Sequence, residues 1–317
     1  MPNPSPANAQ TVGAPLTCAA IFLVVTVSPT DEALATVRDT LNGVPDLLKT
    51  VSFRDSSARL SCVVGIGSEF WDRLGSKARP KELKPFAAIK GTAHDAPSTP
   101  ADVLFHIRAE RQDMCFEFER LLLNDLGDSV KVIDEVSGFR YFDARDLLGF
   151  VDGTANPIGS DLPEATQVGD EDPAFTGGSY VVVQKYLHNL DAWNKQTAHE
   201  QETVIGRTKL DNVELDDDDW ARKSHKTLAT ITDAEGKEFD ILRDNMPFGR
   251  AGQKEFGTYF IGYSRYLWVV EKMLERMFIG APVGSYDRLL DFSTAQTGST
   301  FFVPTKSMLE SMTDDGN

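Results

Sequence analysis

Three short segments of the 317-residue chain concentrate the residue types that can do chemistry. Leu148-Gly149-Phe150-Val151-Asp152-Gly153-Thr154-Ala155-Asn156-Pro157 sets Asp152 between two glycines in an otherwise apolar stretch, which suits a carboxylate held rigidly in a pocket. In Ile241 to Gly249, Arg243 and Asn245 stand two apart. On a strand they share a face, so a cation and an amide donor line one wall, and Pro247 is expected to end the pairing. The third segment is Arg222-Lys223-Ser224-His225-Lys226-Thr227, whose imidazole can bind a metal or move a proton near neutral pH. By composition alone each segment also has a plain reading: an interdomain turn punctuated by Asp-Gly and Asn-Pro, an exposed strand edge, and a surface histidine.

Other chemistries are excluded by spacing and charge. His94, His106, His188 and His199 form no HxxxH or HExxH pair, so a zinc hydrolase fails on ligand count. A phosphate loop, a GxSxG elbow and a dinucleotide fingerprint after a strand are all missing. The run Asp216 to Asp219 lacks the alternating ligands of a calcium loop and reads as a solvated acidic loop. A formal net charge of −16 argues against nucleic acid and anionic membranes, because phosphate binding draws on Lys and Arg, and leaves a small molecule as the partner. Cys18, Cys62 and Cys115 make neither a disulfide framework nor a CxxC site, which points to the reducing cytoplasm. The apolar run Ala19 to Val27 is too short for a membrane span, and no Lys or Arg precedes Arg38, so it reads as a buried strand.

The elements that must position these residues follow from periodicity. Residues 1–14 are Pro- and Asn-rich and are expected to form a loose arm. Strand Cys18 to Val27 leads into a helix that Gly43 and Pro45 should close near Leu41. Strand Leu60 to Ile66, a short helix Ser68 to Leu74, strand Val103 to Ile107, helix Ala109 to Leu126 and strand Val130 to Phe142 complete a β, α, β, β, α, β order. A comparable order recurs: strand Ser179 to Leu187, helix Leu190 to Thr203, a hairpin from Thr227 to Thr232 and Glu238 to Leu242, strand Gly257 to Tyr263, helix Arg265 to Phe278 and strand Ser299 to Val303. The expected fold is α+β, with tandem ferredoxin-like domains of the dimeric α+β barrel type, each an antiparallel sheet with helices packed on it. Its parts are an arm at 1–14, an N-terminal domain at 15–148 and a C-terminal domain at 149–317.

Taken in order, Gly149-Phe150-Val151-Asp152-Gly153, Ser224-His225 and Arg243-x-Asn245 before Pro247 resemble the dye-decolorizing peroxidases, in their B-type bacterial branch. Asp102 to Ile107, Ile205 to Lys209 and Asp287 to Phe292 also look like family segments, so the likeness covers most of the chain. It implies two ferredoxin-like domains with haem b in the second, His225 as the iron ligand, and Asp152, Arg243 and Asn245 on the opposite, distal side. A carboxylate on the far N–H of His225 would fix the ring, with Asp287 the first choice and Asp291 the second. Arg207 is the expected propionate partner. Gly153, Thr154, Phe260 and Leu289 are expected at the cofactor, and Ala155 stands where many relatives carry an acid, so metal binding at the haem edge is not implied.

The activity implied is that of a cytoplasmic peroxidase which reduces hydrogen peroxide and oxidises small organic donors such as dyes and phenols through a ferryl intermediate. Self-association is compatible with the family. Ser307 to Glu310 and the short end after it give little support for packaging in a protein nanocompartment. A haem-handling protein with incidental peroxidase activity would need His225 but neither Asp152 nor Arg243. An acidic hydrolase built on Asp152 would need no pigment.

Overall fold

The first strand, β1 (Ala19–Val27), is apolar from Ala19 to Val25 because both of its faces are buried there. Ile21, Leu23 and Val25 pack into the core beneath the helices, while Ala20, Phe22 and Val24 face a second core on the other side of the sheet. The structure is a computed structural model and describes residues 8–76, 78–217 and 220–313. The N-terminal half continues with α1 (Asp31–Ser52), β2 (Ser61–Gly67), β3 (Val103–Ala109), α2 (Gln112–Leu126) and β4 (Val130–Phe139). Its strands pair antiparallel in the order β2-β3-β1-β4.

The C-terminal half repeats the plan with β5 (Ser179–His188), α3 (His225–Ala229), β6 (Leu242–Arg243), β7 (Met246–Arg250), β8 (Glu255–Ser264), α4 (Leu267–Phe278) and β9 (Ser299–Val303). β6 and β7 lie in line along β8, which pairs β5, which pairs β9. Both halves are therefore ferredoxin-like α+β units. They do not carry separate sheets, because β9 pairs β2 and, with the short strand Ser293–Ala295 on β5, makes one ten-stranded antiparallel sheet. Nor does that sheet close as a barrel. Its edges β4 and β7 meet without pairing where a Cβ on Gly138 would stand 2.3 Å from Met246 Cβ.

Several local expectations shift for identifiable reasons. α1 runs through Gly43 and Pro45 to Ser52. Proline inside a helix costs about 3 kcal/mol, but the extension buries Val44 and Val51, each contributing roughly 1.5–3 kcal/mol. The expected helix Leu190 to Thr203 is two helices, Leu190–Trp193 and Ala198–Ile205, because Thr197 and Glu200 form a capping box that restarts the chain. Pro247 does not end the pairing: β7 continues to Arg250 with Pro247 opposite Thr258, on an edge strand where a missing N–H is tolerated. Of the expected loose arm, residues 1–7 lie outside the described residues, while Gln10 is pinned by hydrogen bonds to the Val64 and Pro304 carbonyls. No helix among the described residues is long and apolar enough to cross a membrane.

Candidate functional site

The segment Ala144 to Asp152 folds back on itself, with Asp152 N–H donating to the Ala144 carbonyl (2.9 Å) and Asp146 N–H to the Phe150 carbonyl (2.8 Å). Gly149 and Gly153 have φ of +94° and +76°, and a Cβ on Gly149 would stand 2.5 Å from Lys209 Cε, so the two glycines are required. The turn points Asp152 into a mostly apolar cavity. Its carboxylate accepts from Gly153 N–H (2.7 Å) and from Asn245 Nδ2 (3.1 Å).

Arg243 and Asn245 reach the same cavity from β6 and the residue before β7, and side-chain amides hold both in place. The Asn156 amide clamps Arg243, with Nδ2 donating to its carbonyl (2.7 Å) and Oδ1 accepting from its N–H (2.9 Å). Asn245 Oδ1 accepts from Ile261 N–H (3.1 Å), standing in for a backbone acceptor. The Arg243 guanidinium has no hydrogen-bond partner among the described residues, so its donors are available to the cavity. Burial lowers its pKa from the ordinary value, opposed by the charges of Asp152 and Asp240.

His225 is the first residue of α3, not the loop residue before a strand, because Ser224 caps the helix through Thr227 N–H. Its Nδ1 lies 2.6 Å from Asp287 Oδ2. A carboxylate can only accept, so Nδ1 carries the proton, and in the neutral ring Nε2 keeps its lone pair. Asp287 is fully buried, and its other oxygen accepts from Leu289 N–H (2.9 Å), whereas the imidazole is 32% exposed and lines the cavity. Burial pulls the His225 pKa down, but the charge and hydrogen bond of Asp287 outweigh it and the net shift is upward. Asp291 pairs instead with His94 at 2.9 Å.

The remaining expected residues divide. Phe260 and Leu289 line the large cavity with Leu148, Phe150, Met273, Leu274 and Met277. Gly153 lines a second one of about 420 Å³ that shares Asp152, Arg243 and Asn245 and extends to Thr17 and Tyr141. Thr154 and Arg207 line neither. Arg207 is satisfied by the Asn212 carbonyl (2.8 Å) and Glu214 (3.1 Å), and Thr154 Oγ1 accepts from Asn212 Nδ2.

Sequence reasoning missed Asp146, His188 and the role of Asn156. Asp146 lines the cavity with its pKa pushed up to about 7 by burial. His188, pulled down to about 4 by burial, sits between the Ser293 and Thr258 hydroxyls at 2.8 Å each. An acid among apolar residues at Asp146-Leu147-Leu148 was the available signal for the first. His188 gave none, being an unspaced histidine at a strand end.

One imidazole aimed into an apolar cavity that also holds a carboxylate and a cation defines a haem-peroxidase type of site. Comparison with known proteins agrees. Residues 9–140 match the family described as Dyp-type peroxidase, N-terminal, and residues 143–308 match Dyp-type peroxidase, C-terminal. The chain belongs to the Dyp-type peroxidases. It is 53% identical over 309 residues to a dye-decolorizing peroxidase of Rhodococcus erythropolis, covering 98% of this chain and 90% of that one. A DypB variant of Rhodococcus jostii RHA1 in complex with heme superposes with a TM-score of 0.93 at 55% identity, covering 96% of this chain and 98% of that one. The encapsulated DyP-type peroxidase of Mycobacterium smegmatis gives 0.92 at 54%, covering 96% and 97%. The likeness to DypB places the chain in the B-type branch.

Proposed function

We propose that the chain is a haem b peroxidase in which His225 holds the iron from one side while Arg243, Asp152 and Asn245 act on hydrogen peroxide from the other. The observation that carries this is the arrival at one apolar cavity of an imidazole oriented by a 2.6 Å bond to Asp287 and a guanidinium with no partner among the described residues. When bound, haem supplies the iron at which the peroxide O–O bond is cleaved and the capacity to take two electrons from dyes or phenols. Asp287 fixes the His225 tautomer and raises the basicity of Nε2. Asp152 accepts a proton from peroxide and returns it to the oxygen that departs as water. Asn245 holds that carboxylate in place, and Arg243 stabilises the negative charge growing on the departing oxygen.

The apolar walls Phe150, Phe260, Met273, Leu274 and Leu289 fit a porphyrin face. Arg207 lies beyond the cavity wall with Thr154, and its guanidinium keeps donors besides those given to Asn212 and Glu214, so it remains the proposed propionate partner at the rim. The functional division is 15–148 and 149–317, with Asp146 and Leu148 reaching the cavity from the first unit. Three free thiols fit a reducing cytoplasm. The similar DyP-type peroxidase of Mycobacterium smegmatis is encapsulated, which makes packaging of this chain a question for experiment. Co-expression with a compartment shell followed by size exclusion decides it.

The test of the activity is stopped-flow mixing of haem-loaded protein with stoichiometric peroxide. Wild type should react fast and Arg243→Ala slowly; equally slow traces would favour the haem-handling reading.

A further inference from the structure

Between the two cavity-lining residues Arg243 and Asn245 stands Asp244, and alternation along the strand sends its side chain to the opposite face, into the core enclosed by the curled sheet. There it is 1% exposed and accepts from Nη1 of Arg108 at 2.7 Å. Arg108 is fully buried on β3 of the N-terminal half, and its Nη2 donates to the Thr11 carbonyl. The pair thus bridges the halves immediately behind the distal wall.

Two features bear on what this bridge does. Arg108 Nε, Asp244 Oδ1 and the nearby His106 Nε2 are buried without hydrogen-bond partners in the described structure. A buried ion pair with orphaned atoms gains little over apolar residues of the same volume. The backbone it grips also lacks an ordinary ladder bond. Asp244 N–H donates to the Ile261 carbonyl (3.2 Å), but Ile261 N–H returns to the Asn245 side chain and not to a backbone oxygen. The strand is released where Asn245 turns to hold Asp152, and Arg108 supplies the missing fixed point.

We propose that the Arg108–Asp244 pair is the positioning device for Arg243 and Asn245, so that the N-terminal half acts on peroxide chemistry through it. This rests on the reading of Arg243 as the cation on the distal side of the haem. Neither Arg108 nor Asp244 lines the large cavity; Asp244 borders only the smaller one, and both act on the large cavity through their neighbours.

The test is the haem-loaded double variant Arg108→Met/Asp244→Leu, which removes both charges and leaves no unpaired ion. Melting temperature and hemin affinity are read first, then fluoride affinity of the ferric protein by absorbance, and the second-order rate with peroxide. Fluoride reports the distal hydrogen-bond donors independently of turnover. Small displacements of a reacting group cost up to about a hundredfold, so the expected result is hemin affinity unchanged, with fluoride affinity and peroxide rate each reduced about tenfold or more. A reduction of less than about threefold in either overturns the proposal. If the double variant does not fold, Asp244→Asn is measured in the same two ways, and the same fold-changes support or overturn the proposal. Arg243→Ala in the same fluoride titration separates the two failures, because unchanged affinity there would refute the reading of Arg243 itself.

Discussion

His225 Nδ1 and Asp287 Oδ2 lie 2.6 Å apart, with the carboxylate fully buried and the far edge of the imidazole open to the cavity. Asp287 is itself fixed by its N–H to the Met277 carbonyl and by the Leu289 N–H. The ring's orientation is therefore set by buried structure before any cofactor arrives.

Asp287→Asn removes the negative charge and keeps the shape. Loss of such a partner to a metal-bound histidine typically costs roughly 10–100-fold in affinity or activity. The expected outcome is a slower peroxide reaction within that range and an iron reduction potential shifted upward. Potentiometric titration and stopped-flow absorbance read the two.

Under the proposed assignment to the peroxide side, Asp152 and Arg243 are not equivalent. Arg243 brings an unpartnered cation that water cannot replace, and its loss to Ala should slow the peroxide step by about 10²–10³-fold. Asp152 faces both cavities, and the smaller one extends toward Thr17 and Tyr141, so water can take over part of a proton relay. Asp152→Ala should fall at the lower end of the roughly 10²–10⁴ expected of acid–base catalysis. Single-turnover rates of the two variants should rank in that order.

Asn156 satisfies both backbone polar groups of Arg243. Asn156→Ala leaves them unmatched, at a cost of about 1–3 kcal/mol each where water cannot enter. A lower denaturation midpoint with a reduced peroxide rate is expected, and an unchanged midpoint would remove the clamp from the mechanism.

Asp146 gives a pH dependence of stability with a definite sign. Burial raises its carboxyl from 3.8 to about 7 in the folded chain. Between those values the folded state binds the extra proton, so stability falls as pH rises, by on the order of 4 kcal/mol once pH exceeds 7. Asp146→Asn keeps the acceptor for Phe150 N–H. It should stabilise the haem-free protein at pH 8 by several kcal/mol and have little effect near pH 4. Urea denaturation at the two pH values measures this, and an equal effect at both would contradict it.

Much of this was legible in the residues. The strand runs are continuous apolar segments, and their order fixes a repeated α+β unit. The Asp152 turn announces itself by its glycines, and Arg243 and Asn245 by their two-residue spacing. What was hidden depends on long-range packing. Pro45 reads as a helix stop until Val44 and Val51 find a core, and Thr227 reads as a strand start until Ser224 caps the helix that presents His225. Asn156 looks like turn punctuation because its partner lies 87 residues away. Arg207 gives no sign in the sequence of the Glu214 that meets its guanidinium, because that contact depends on how the loop between them folds.

The central claim is that the imidazole at position 225 ligates the haem iron through Nε2, and the most direct measurement is the absorption and electron paramagnetic resonance spectrum of ferric His225→Gly with and without added imidazole. The expected result is loss of the imidazole-ligated signature and of rapid reaction with peroxide, both restored by free imidazole. A His225→Gly protein with the wild-type spectrum in the absence of imidazole would contradict it.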